Sequence, residues 1–326
     1  MGLFDIKDGF AEKKHVKSNL VYGSINKNRK PKISILMPIY NHPQYFEQAL
    51  LSALNQDCNF EYEIIVCDNN HPEYQKQNQE IAKRFECEKL FYYVNEENIG
   101  GLSNWNRCIE LATAKDVTYC HDDDKLLPDT LRNLASYREK IANKKSMLIG
   151  HAQSIDENNN RTSVLTPNEN CEDVHEMSMV DFFYSNYTNG CGALFSRECL
   201  LQIGGFNDCY IPCPDYSLNV LYSYNYSSYM IKPTTFLYRI SGASDSATSF
   251  VHIPLANKRI RDEIITKMHY PRLLLQLFSK CLYDVNSKFG YIFWQNKSMT
   301  LLDRSKYFVQ RILIRFSKIL LNYRSL

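Results

Sequence analysis

Three consecutive aspartates follow a short apolar run in the stretch YCHDDDKLLPD, residues 119–129. Adjacent like charges repel one another, so a chain that needed only solubility would gain little from this arrangement. Carboxylate oxygens are hard ligands, which suit Mg²⁺ or Mn²⁺ better than zinc or copper. The stretch therefore predicts a site for a divalent cation, with Asp122, Asp123 and Asp124 as the candidate metal ligands.

The composition of the chain excludes several other classes of protein. Of its 326 residues, 44% are hydrophobic and 23% are charged, and the formal net charge is +2. A charge this close to zero gives no overall field that would attract nucleic acid. No apolar run approaches the roughly 20 residues of a spanning helix, and the charged N-terminus lacks the apolar core of a signal peptide. These features predict a cytoplasmic protein.

Eleven cysteines are scattered along the chain without a Cys-x-x-Cys pair. Disulfide frameworks are typical of short secreted chains, so we expect reduced thiols here. The cysteines that could bind zinc are Cys191, Cys199, Cys209 and Cys213. Their spacing lacks the close pairs of a structural zinc site, and the sequence therefore favours free thiols.

Strands and helices alternate between residues 33 and 142. Apolar, β-branched runs predict buried strands, and apolar stripes at helical spacing predict helices. The predicted strands are ISILMPIYN, YEIIVCD, LFYYVN and DVTYCHDDD, and the helices that follow them are HPQYFEQALLSALNQ, EYQKQNQEIAKRF, LSNWNRCIELAT and DTLRNLASYREKIA. This alternation predicts an α/β fold with a mostly parallel sheet flanked by helices.

Polar clusters follow three of the predicted strands, at residues 40–41, 68–70 and 122–124. In sheets of this kind ligands bind beyond the carboxyl ends of the strands, so the clusters predict one shared site. The sequence contains neither a G-x-G-x-x-G after the first strand nor a G-x-x-x-x-G-K-[ST] loop. A metal would therefore have to neutralise any bound phosphates in place of a glycine loop.

Six motifs occur together between about residues 32 and 240. They are ISILMPIYN, EIIVCDNN, ENIGGLSNWNRCIELA, CHDDDKLLPD, CGALFSRECLLQIGGFND and CPDYSLNVLY. Their order and spacing resemble those of family-2 glycosyltransferases with the GT-A fold, of the kind that builds bacterial surface polysaccharides such as lipopolysaccharide or capsule. The resemblance implies an enzyme dependent on Mn²⁺ or Mg²⁺. It would transfer a sugar from a nucleotide-sugar, expected to be a UDP-sugar, to a glycan or lipid-linked oligosaccharide.

The resemblance assigns the residues that hold the nucleotide. Asp68 matches the family aspartate that contacts the base, and the alternative is a strand-end aspartate that caps a turn. Tyr40 matches the loop that lies along the nucleoside, and the alternative is a core aromatic. The set assigned to nucleotide binding is Pro38, Tyr40, Asn41, Asp68, Asn98, Asn104 and Asp122.

The acidic stretch resembles the D-x-D motif of the family but departs from its commonest form. Alignment on residues 127–129 places the two consecutive family aspartates on Asp123 and Asp124, and the first aspartate of D-x-D-D on His121. A direct D-x-D count gives Asp122 and Asp124 instead. We expect Asp123 to be the principal metal contact, with Asp122 and Asp124 holding the ribose or metal-bound waters. The alternative is a helix cap and a solvated turn.

Asp215 matches the catalytic aspartate of the family, although Pro214 stands where an acidic neighbour is usual. The Gly-Gly-Phe of residues 204–206 precedes it at the expected distance, and the segment 190–193 would face the acceptor. As a general base Asp215 would take the proton of the attacking hydroxyl, and a single base without a covalent nucleophile implies inversion at the anomeric carbon. The alternative is a simple helix N-cap.

Three further features lie near the predicted site. Arg239 would bind diphosphate or pair with an acid in the core. Ser241 stands where the family often has a histidine, and the nearest downstream histidine is His252. Residues 156–176 resemble a flexible insertion beside the acceptor, which makes them a candidate lid.

The chain is expected to divide into an N-terminal extension at 1–30, a catalytic domain at 31–250 and a helical extension at 251–326. The N-terminal part looks like a tail or an added helix. Near the C-terminus an apolar stripe covers about 140° of a predicted helix, and basic residues cluster on the opposite side of the same helix. The stripe consists of Phe308, Val309, Ile312, Leu313, Phe316, Ile319 and Leu320, and the basic side of Arg304, Arg311, Arg315 and Lys318.

Such a helix either lies in an anionic membrane interface or packs its stripe on the catalytic domain. The first alternative would place the protein peripherally at the inner face of the plasma membrane, through residues 300–326. The rival functions are a catalytically inactive, membrane-attached scaffold that binds nucleotide sugars, and a nucleotidyltransferase. The latter is expected to carry a glycine- and basic-rich first loop, which PIYNHPQ lacks.

Overall fold

The structure, a computed structural model, describes residues 2–23, 29–163, 165, 170–241, 249–295 and 301–321, with the backbone alone at 289–295 and 301–303. The strands are β1 Ser18–Tyr22, β2 Ile33–Ile39, β3 Tyr62–Asp68, β4 Leu90–Asn95, β5 Asp116–Tyr119, β6 Lys125–Leu126, β7 Met147–Ile155, β8 Val174–Glu176, β9 Phe195–Ser196 and β10 Ser228–Arg239. The helices are α1 Pro43–Leu54, α2 Gln75–Arg84, α3 Gly101–Leu111, α4 Thr130–Lys140, α5 Met179–Tyr184, α6 Arg197–Gln202, α7 Pro214–Tyr226, α8 Ile253–Ile265, α9 Arg272–Gln295 and α10 Leu301–Leu320.

A six-stranded sheet of order β1-β4-β3-β2-β5-β9 forms the centre of the fold. The inner strands β4, β3, β2 and β5 are parallel, and the edge strands β1 and β9 run antiparallel to their neighbours. Every residue of β2 and β3 is buried, as expected for strands covered on both faces. The predicted mostly parallel sheet with connecting helices is therefore confirmed.

A second sheet, of order β6-β10-β7 with β8 on β10, escaped the sequence analysis. Its long strand β10 pairs in parallel with β7 and antiparallel with the short β6. Because β5 ends at Tyr119 and β6 begins at Lys125, the acidic residues fall in the turn that connects the two sheets. The acidic turn is thus fixed at both ends by backbone pairing.

The N-terminal segment is part of the sheet, so the expectation of a tail or an added helix is wrong. Strand β1 alternates between exposed and half-buried residues and pairs antiparallel with β4, which is the behaviour of an edge strand. Upstream of it, Leu3 and Val16 are buried, and the Gly9 N–H donates to the Gly204 carbonyl at 2.8 Å. Gly204 has φ +84°, and a Cβ there would lie 2.1 Å from the Lys7 carbonyl oxygen.

Two hydrophobic clusters hold the layers together. One contains Phe46 and Ile64 and lies between the central sheet, α1, α2 and α4. The other runs from Leu36 through α3 and α7 to Ile260 and Phe278 in the C-terminal helices. The helices predicted after residue 250 are therefore present, and they share a hydrophobic core with the central sheet.

Helix α10 packs with the side opposite its apolar stripe. Ser317 and Leu321 are buried, and the Ser317 hydroxyl lies 2.8 Å from the Tyr184 hydroxyl. The stripe points away from the described part of the protein. Its exposed members are Phe308, Val309, Ile312, Phe316, Ile319 and Leu320, with exposed fractions from 44% for Leu320 to 78% for Ile319. Among the described residues, no helix has both the length and the apolar character needed to cross a membrane.

Candidate active site

The polar clusters that follow β2, β3 and β5 lie together at the carboxyl edge of the sheet. The backbone N–H of Tyr40 donates to Asp122 Oδ2 at 3.2 Å, which joins the first cluster to the third. The backbone N–H of Asn69 donates to the Ile39 carbonyl at 3.0 Å, which joins the second to the first. Parallel strands deliver these loops to one edge, and a shared site follows from that topology.

Asp68 is fully buried at the end of β3. Its Oδ1 accepts a hydrogen bond from the Asn70 N–H at 2.9 Å, and its Oδ2 accepts one from the Tyr92 hydroxyl. Burial raises the pKa of Asp68 to about 6, while the bonds from Tyr92 and Asn70 act to lower it. Asn70 has φ +55°, so Asp68 does cap a tight turn.

An amide network holds the same edge in place. Asn95 Nδ2 donates to Asn69 Oδ1 at 3.1 Å and to Asn104 Oδ1 at 2.8 Å. Asn104 Nδ2 in turn donates to the Cys67 carbonyl at 2.9 Å, and Asn104 is only 2% exposed. The amide of Asn104 therefore joins helix α3 to strand β3 from inside the protein.

Tyr40 lies at the surface of the site and is not a core aromatic. It is half-buried, and its hydroxyl accepts a hydrogen bond from Nδ2 of the exposed Asn98 at 2.8 Å. Its ring meets the His71 ring edge-on at 4.6 Å, and His71 stacks on Tyr74 at 4.5 Å. His71 did not emerge from the sequence, although its position directly after the polar cluster 68–70 was a signal.

Two other residues assigned to the nucleotide lie on either side of Tyr40. Pro38 is buried within β2, in register with Cys67 of β3. Asn41 is exposed in the loop that leads to α1. Only the second of them presents its side chain to the open side of the sheet edge.

Asp122 turns toward the first loop. Its Oδ1 lies 3.0 Å from His42 Nδ1, and its Oδ2 accepts the Tyr40 N–H. Both side chains are largely buried, with exposed fractions of 13% for Asp122 and 16% for His42. Asp122 does not belong to the group of nearby ligand atoms that His121, Asp123 and Asp124 form, and its assignment as a metal ligand stays a prediction.

Asp124 is buried and is held from two sides. Its Oδ1 accepts the backbone N–H of Arg239 at 2.9 Å, and its Oδ2 accepts Nδ2 of Asn189 at 3.2 Å. Asp123 differs, because no group of the described residues donates a hydrogen bond to its carboxylate. Burial and the charges of Asp124 and Asp122 raise the pKa of Asp123 well above its usual range.

Arg239 fastens the acidic turn to the second sheet. Its guanidinium donates to the carbonyls of Asp123, Asp156 and Glu157 and to the amide oxygens of Gln48 and Asn159, at 2.8 to 3.3 Å. The side chain is 1% exposed and lies over the Tyr45 ring at 4.4 Å. These contacts use all five N–H groups of the guanidinium. Neither alternative from the sequence, a diphosphate contact or a partner acid, describes this residue.

His121 stands beside Asp124 with its ring held by Trp105. The two rings stack with centroids 4.9 Å apart and an angle of 26° between their planes. Nδ1 of His121 lies 3.5 Å from Asp124 Oδ2 and 3.3 Å from Asn189 Nδ2. Nε2 is buried and has no hydrogen-bond partner in the described ranges. Ligand atoms of His121, Asp123 and Asp124 lie within 4.8 Å of one another.

Asp215 lies in the first turn of α7, whose N-cap is Cys213, so the N-cap alternative is wrong. Its Oδ2 accepts Nδ2 of Asn186 at 2.7 Å, and Asn186 Oδ1 accepts Nδ2 of Asn219 at 2.9 Å. Burial raises the pKa of Asp215, and its bonds to Asn186 and to helix N–H groups act to lower it, as does the charge of His121. The carboxylate is thus held in one orientation.

The segment 186–193 links Asp215 to the acidic turn. Asn186 contacts Asp215 at one end, and Asn189 contacts both His121 and Asp124 further along. The segment is anchored by the Gly192 N–H, which donates to the Tyr119 carbonyl at 3.0 Å. Gly192 has φ +62°, and a Cβ there would lie 2.7 Å from the hydroxyl of Thr235. The sequence pointed to the segment 190–193 but gave no sign of Asn186 and Asn189.

The family of the chain is shown by its sequence. A family model described as Glycosyl transferase family 2 matches residues 34–202, which is about half of the chain. The chain belongs to this family. The match begins in β2 and ends in α6, so it includes the acidic turn and the segment 186–193.

Several known proteins are similar to this family-2 glycosyltransferase. A GalNAc(5)-diNAcBac-PP-undecaprenol beta-1,3-glucosyltransferase of Campylobacter jejuni is 27% identical over 179 residues, which cover 55% of each chain. The minor teichoic acid biosynthesis protein GgaB of Bacillus subtilis is 22% identical over 293 residues, 86% of this chain and 31% of that one. The chain thus spans between about a third and about half of the length of these relatives.

Solved structures bear out the GT-A fold. S. aureus TarS 1-349 in complex with UDP-GlcNAc superposes with a TM-score of 0.56 and 14% sequence identity, and the match covers 86% of this chain and 79% of that one. The same protein in complex with UDP gives a TM-score of 0.52 over 90% of this chain. At this identity the likeness concerns the fold, and it extends into the C-terminal helices.

Two regions near the site lie partly outside the described residues. The proposed lid at 156–176 includes 164 and 166–169, and the closing segment after Arg239 includes 242–248, all of them outside the described ranges. The described ends are tied down. The carbonyls of Asp156 and Glu157 accept bonds from Arg239, and β8 pairs with β10 at the other end. Ser241 is buried.

Proposed function

We propose that this glycosyltransferase is an inverting, metal-dependent enzyme that moves a sugar from a UDP-sugar to a glycan or lipid-linked glycan during cell-surface polysaccharide synthesis. The observation that carries the proposal is the segment 186–193, in which Asn186 donates to Asp215, and Asn189, three residues later, donates to Asp124. The named substrates of the relatives support the donor and acceptor classes, since one of them acts on an undecaprenol-linked glycan and TarS binds UDP-GlcNAc. The catalytic unit would be residues 31–250.

The residues of the acidic turn fit a divalent cation, either Mn²⁺ or Mg²⁺. Asp123 is largely buried and free of hydrogen bonds from the described residues, and one oxygen of Asp124 faces the same group. Asp122 instead holds His42 and the Tyr40 N–H, which gives it a positioning role. A divalent cation bound here neutralises the charge that develops on the leaving diphosphate.

The nucleoside would lie over Tyr40, His71 and Asn98. Their aromatic rings and exposed amide offer stacking and hydrogen bonding at the edge of the sheet. Asp68, fully buried one layer below, orders the turn that carries His71. Pro38, Asn41 and Asn104 support this surface from the strand, the loop and helix α3.

Asp215 would act as the general base. Its carboxylate accepts the proton of the acceptor hydroxyl while that hydroxyl attacks the anomeric carbon from the face opposite the leaving group. Asn186 fixes one carboxylate oxygen at 2.7 Å, and backbone N–H groups of the first turn of α7 also donate to the carboxylate. No covalent enzyme intermediate is required, so an α-linked donor would give a β-linked product.

The apolar stripe of α10 would bind an anionic membrane. Arg304, Arg311 and Arg315 are exposed along one flank of the stripe, so acidic headgroups match the helix in charge. Purified protein is expected to bind vesicles with a third phosphatidylserine at low salt and to release them at high salt. The double variant Phe308→Ser/Ile319→Ser should lose this binding, and Ile6→Ser, which changes an exposed residue elsewhere, should keep it. Equal vesicle binding by both variants would show that the stripe of α10 is not the membrane-binding surface.

The proposed activity is tested on the full-length protein with a panel of UDP-sugars, Mn²⁺ and lipid-linked acceptors, and UDP release is the readout. We expect turnover with at least one donor, and loss of turnover when the metal is chelated. Calorimetric titration with UDP distinguishes an inactive scaffold, which would bind without turnover. Neither binding nor turnover with any donor would contradict the proposal.

A further inference from the structure

We infer that His121 is a nitrogen ligand of the divalent cation, alongside Asp123 and Asp124, and that Asp122 is not a ligand. The inference rests on the proposed metal dependence and specifies the ligand set. It follows from the juxtaposition of one imidazole and two carboxylates in the turn between β5 and β6. The sequence had pointed to three carboxylates.

The spacing of the three groups suits a single ion. Metal–ligand distances of about 2.1 Å separate neighbouring ligand atoms by roughly 3 Å and opposite ones by roughly 4 Å. His121 Nδ1 and Asp124 Oδ2 are 3.5 Å apart, and the ligand atoms of all three residues lie within 4.8 Å of one another. Small rotations of the side chains would bring all three to bonding distance.

One of the two nitrogens of the His121 imidazole is buried without a hydrogen-bond partner in the described ranges. The exposed fraction of its side chain is 12%, yet Nε2 has no partner in the part of the chain that the structure describes. Nδ1 lies 3.3 Å from the amide of Asn189 and 3.5 Å from Asp124 Oδ2. Buried polar atoms in native proteins nearly always have partners, so the orphaned Nε2, on a ring that lies beside two carboxylates, points to a ligand that is bound there.

The ring is also held in position. Trp105 stacks on one face of His121, and Phe206 packs edge-on against Trp105 at 4.8 Å with an angle of 87°. This packing restricts rotation of the imidazole, which reduces the entropy that the ring would lose on binding a metal. A histidine kept only for its charge would not need such support.

The ligand set decides which metal is preferred. Mg²⁺ requires oxygen ligands in near-ideal octahedral geometry, whereas imidazole suits transition metals. One nitrogen and two carboxylates should therefore favour Mn²⁺ over Mg²⁺ more strongly than the all-carboxylate pattern would. His121→Asp, which restores that pattern, should narrow the Mn²⁺ to Mg²⁺ affinity ratio by about tenfold.

Pulsed electron paramagnetic resonance on the full chain with Mn²⁺ and UDP tests the ligand directly. Wild-type protein should show the nitrogen coupling of a bound imidazole, and growth with ¹⁵N-histidine should change that coupling to the pattern of ¹⁵N. His121→Asn should lose the coupling, and His269→Asn, at an exposed position, should keep it. The isotope experiment needs no variant, so misfolding of His121→Asn would not spoil the test.

Bound Mn²⁺ without nitrogen coupling would overturn the role of His121 while leaving the proposed metal site intact. An unchanged Mn²⁺ to Mg²⁺ ratio in a folded His121→Asp variant would overturn it as well. If Mn²⁺ does not bind but UDP-sugar transfer still occurs, this inference and the metal dependence both fail, and the transferase activity stands. The failure of the inference is therefore distinguishable from that of the proposed function.

Discussion

The site has two sides: the nucleoside side around Asp68, Tyr40 and His71, and the transfer side around His121, Asp123 and Asp215. They differ in how far their polar groups are paired by hydrogen bonds. On the nucleoside side Tyr92 and the Asn70 N–H donate to the Asp68 carboxylate, and the amides of Asn69 and Asn95 bond to each other, although the buried amide of Asn78 has no hydrogen-bond partner among the described residues. Asp123, on the transfer side, differs. Its carboxylate accepts no hydrogen bond from the described residues, and Nε2 of the neighbouring histidine is orphaned.

This difference separates groups that build the site from groups that work in it. A hydrogen-bonded network rigidifies the loops at the end of β2, β3 and β4 before any ligand arrives. Groups left buried and unpaired cost stability, and they are retained where a ligand, a metal or a reacting atom completes them. The transfer side is therefore expected to control turnover, and the nucleoside side to control stability and affinity.

The largest effect is expected at Asp215, on the transfer side. Asp215→Asn should lower kcat by about 10²- to 10⁴-fold, because the amide cannot accept the proton of the acceptor hydroxyl. The affinity for UDP and the melting temperature should change little. Asp57→Asn, at an exposed carboxylate, is the matched control. Near-wild-type turnover of a folded Asp215→Asn protein would show that Asp215 is not the general base.

Arg239 is expected to show the next largest effect, and it should act on stability. Arg239→Lys replaces five donated hydrogen bonds with at most three, and it leaves buried acceptors unpaired. We expect a loss of about 3 kcal/mol in the free energy of unfolding, measured by urea titration. Arg132→Lys, at a half-exposed surface pair, should cost far less. A small effect at Arg239 would mean that the acidic turn does not depend on this anchor.

Asp68→Asn should separate stability from affinity on the nucleoside side. The pKa of Asp68 is about 6 in the folded protein, compared with 3.8 for the exposed carboxyl group of an unfolded chain. The folded state therefore binds the proton more tightly. The stabilisation this gives is complete below pH 4 and is lost as the pH rises through 6. The amide introduced at position 68 does not ionise, so the variant does not lose this stabilisation. Its free energy of unfolding should exceed that of wild type by up to about 3 kcal/mol at pH 7.

The melting temperatures of wild type and Asp68→Asn, compared between pH 4 and pH 8, measure this difference. The difference in melting temperature should grow with pH, and the same comparison for Asp57→Asn, at an exposed carboxylate, is the reference. Calorimetry should show that the variant binds UDP about tenfold more weakly. The carboxylate accepts the Asn70 N–H more strongly than an amide oxygen would, and this bond orders the turn that carries His71. A variant that is destabilised equally at all pH values would contradict the proposed origin of the shift.

The smallest effect is expected at Asn186, which positions the base. Asn186→Ala should lower kcat by about tenfold, since Asp215 loses the hydrogen bond that orients it. That bond favours the charged carboxylate, so its removal should raise the pKa of Asp215 further and move the acid limb of kcat/KM to higher pH. Asn133→Ala removes a similar Asn–Asp contact at the surface and is the control. A fall in kcat with an unmoved acid limb would assign Asn186 to packing instead.

Local patterns were enough to predict most of the fold. Continuous apolar runs predict buried strands such as β2 and β3, and apolar stripes with a 3.6-residue period predict helices α1 to α4. The same reasoning missed β1, because a short edge strand with one buried face resembles a polar tail. It also missed the second sheet, since β6 has two residues and β8 three, too few to show any period.

The sequence by itself determined which residue types are available for chemistry and at which strand ends they fall, because periodicity and parallel connectivity are local properties. It placed Asp68 and the acidic turn at one edge, and the resemblance to the family added Asp215. Only the tertiary structure decided how the neighbours Asp122, Asp123 and Asp124 differ. The first faces His42, the third faces Arg239 and Asn189, and the second has no donor in the part of the chain that the structure describes. These partners come from positions far apart in the chain, so no local pattern could have distinguished three identical side chains in a row.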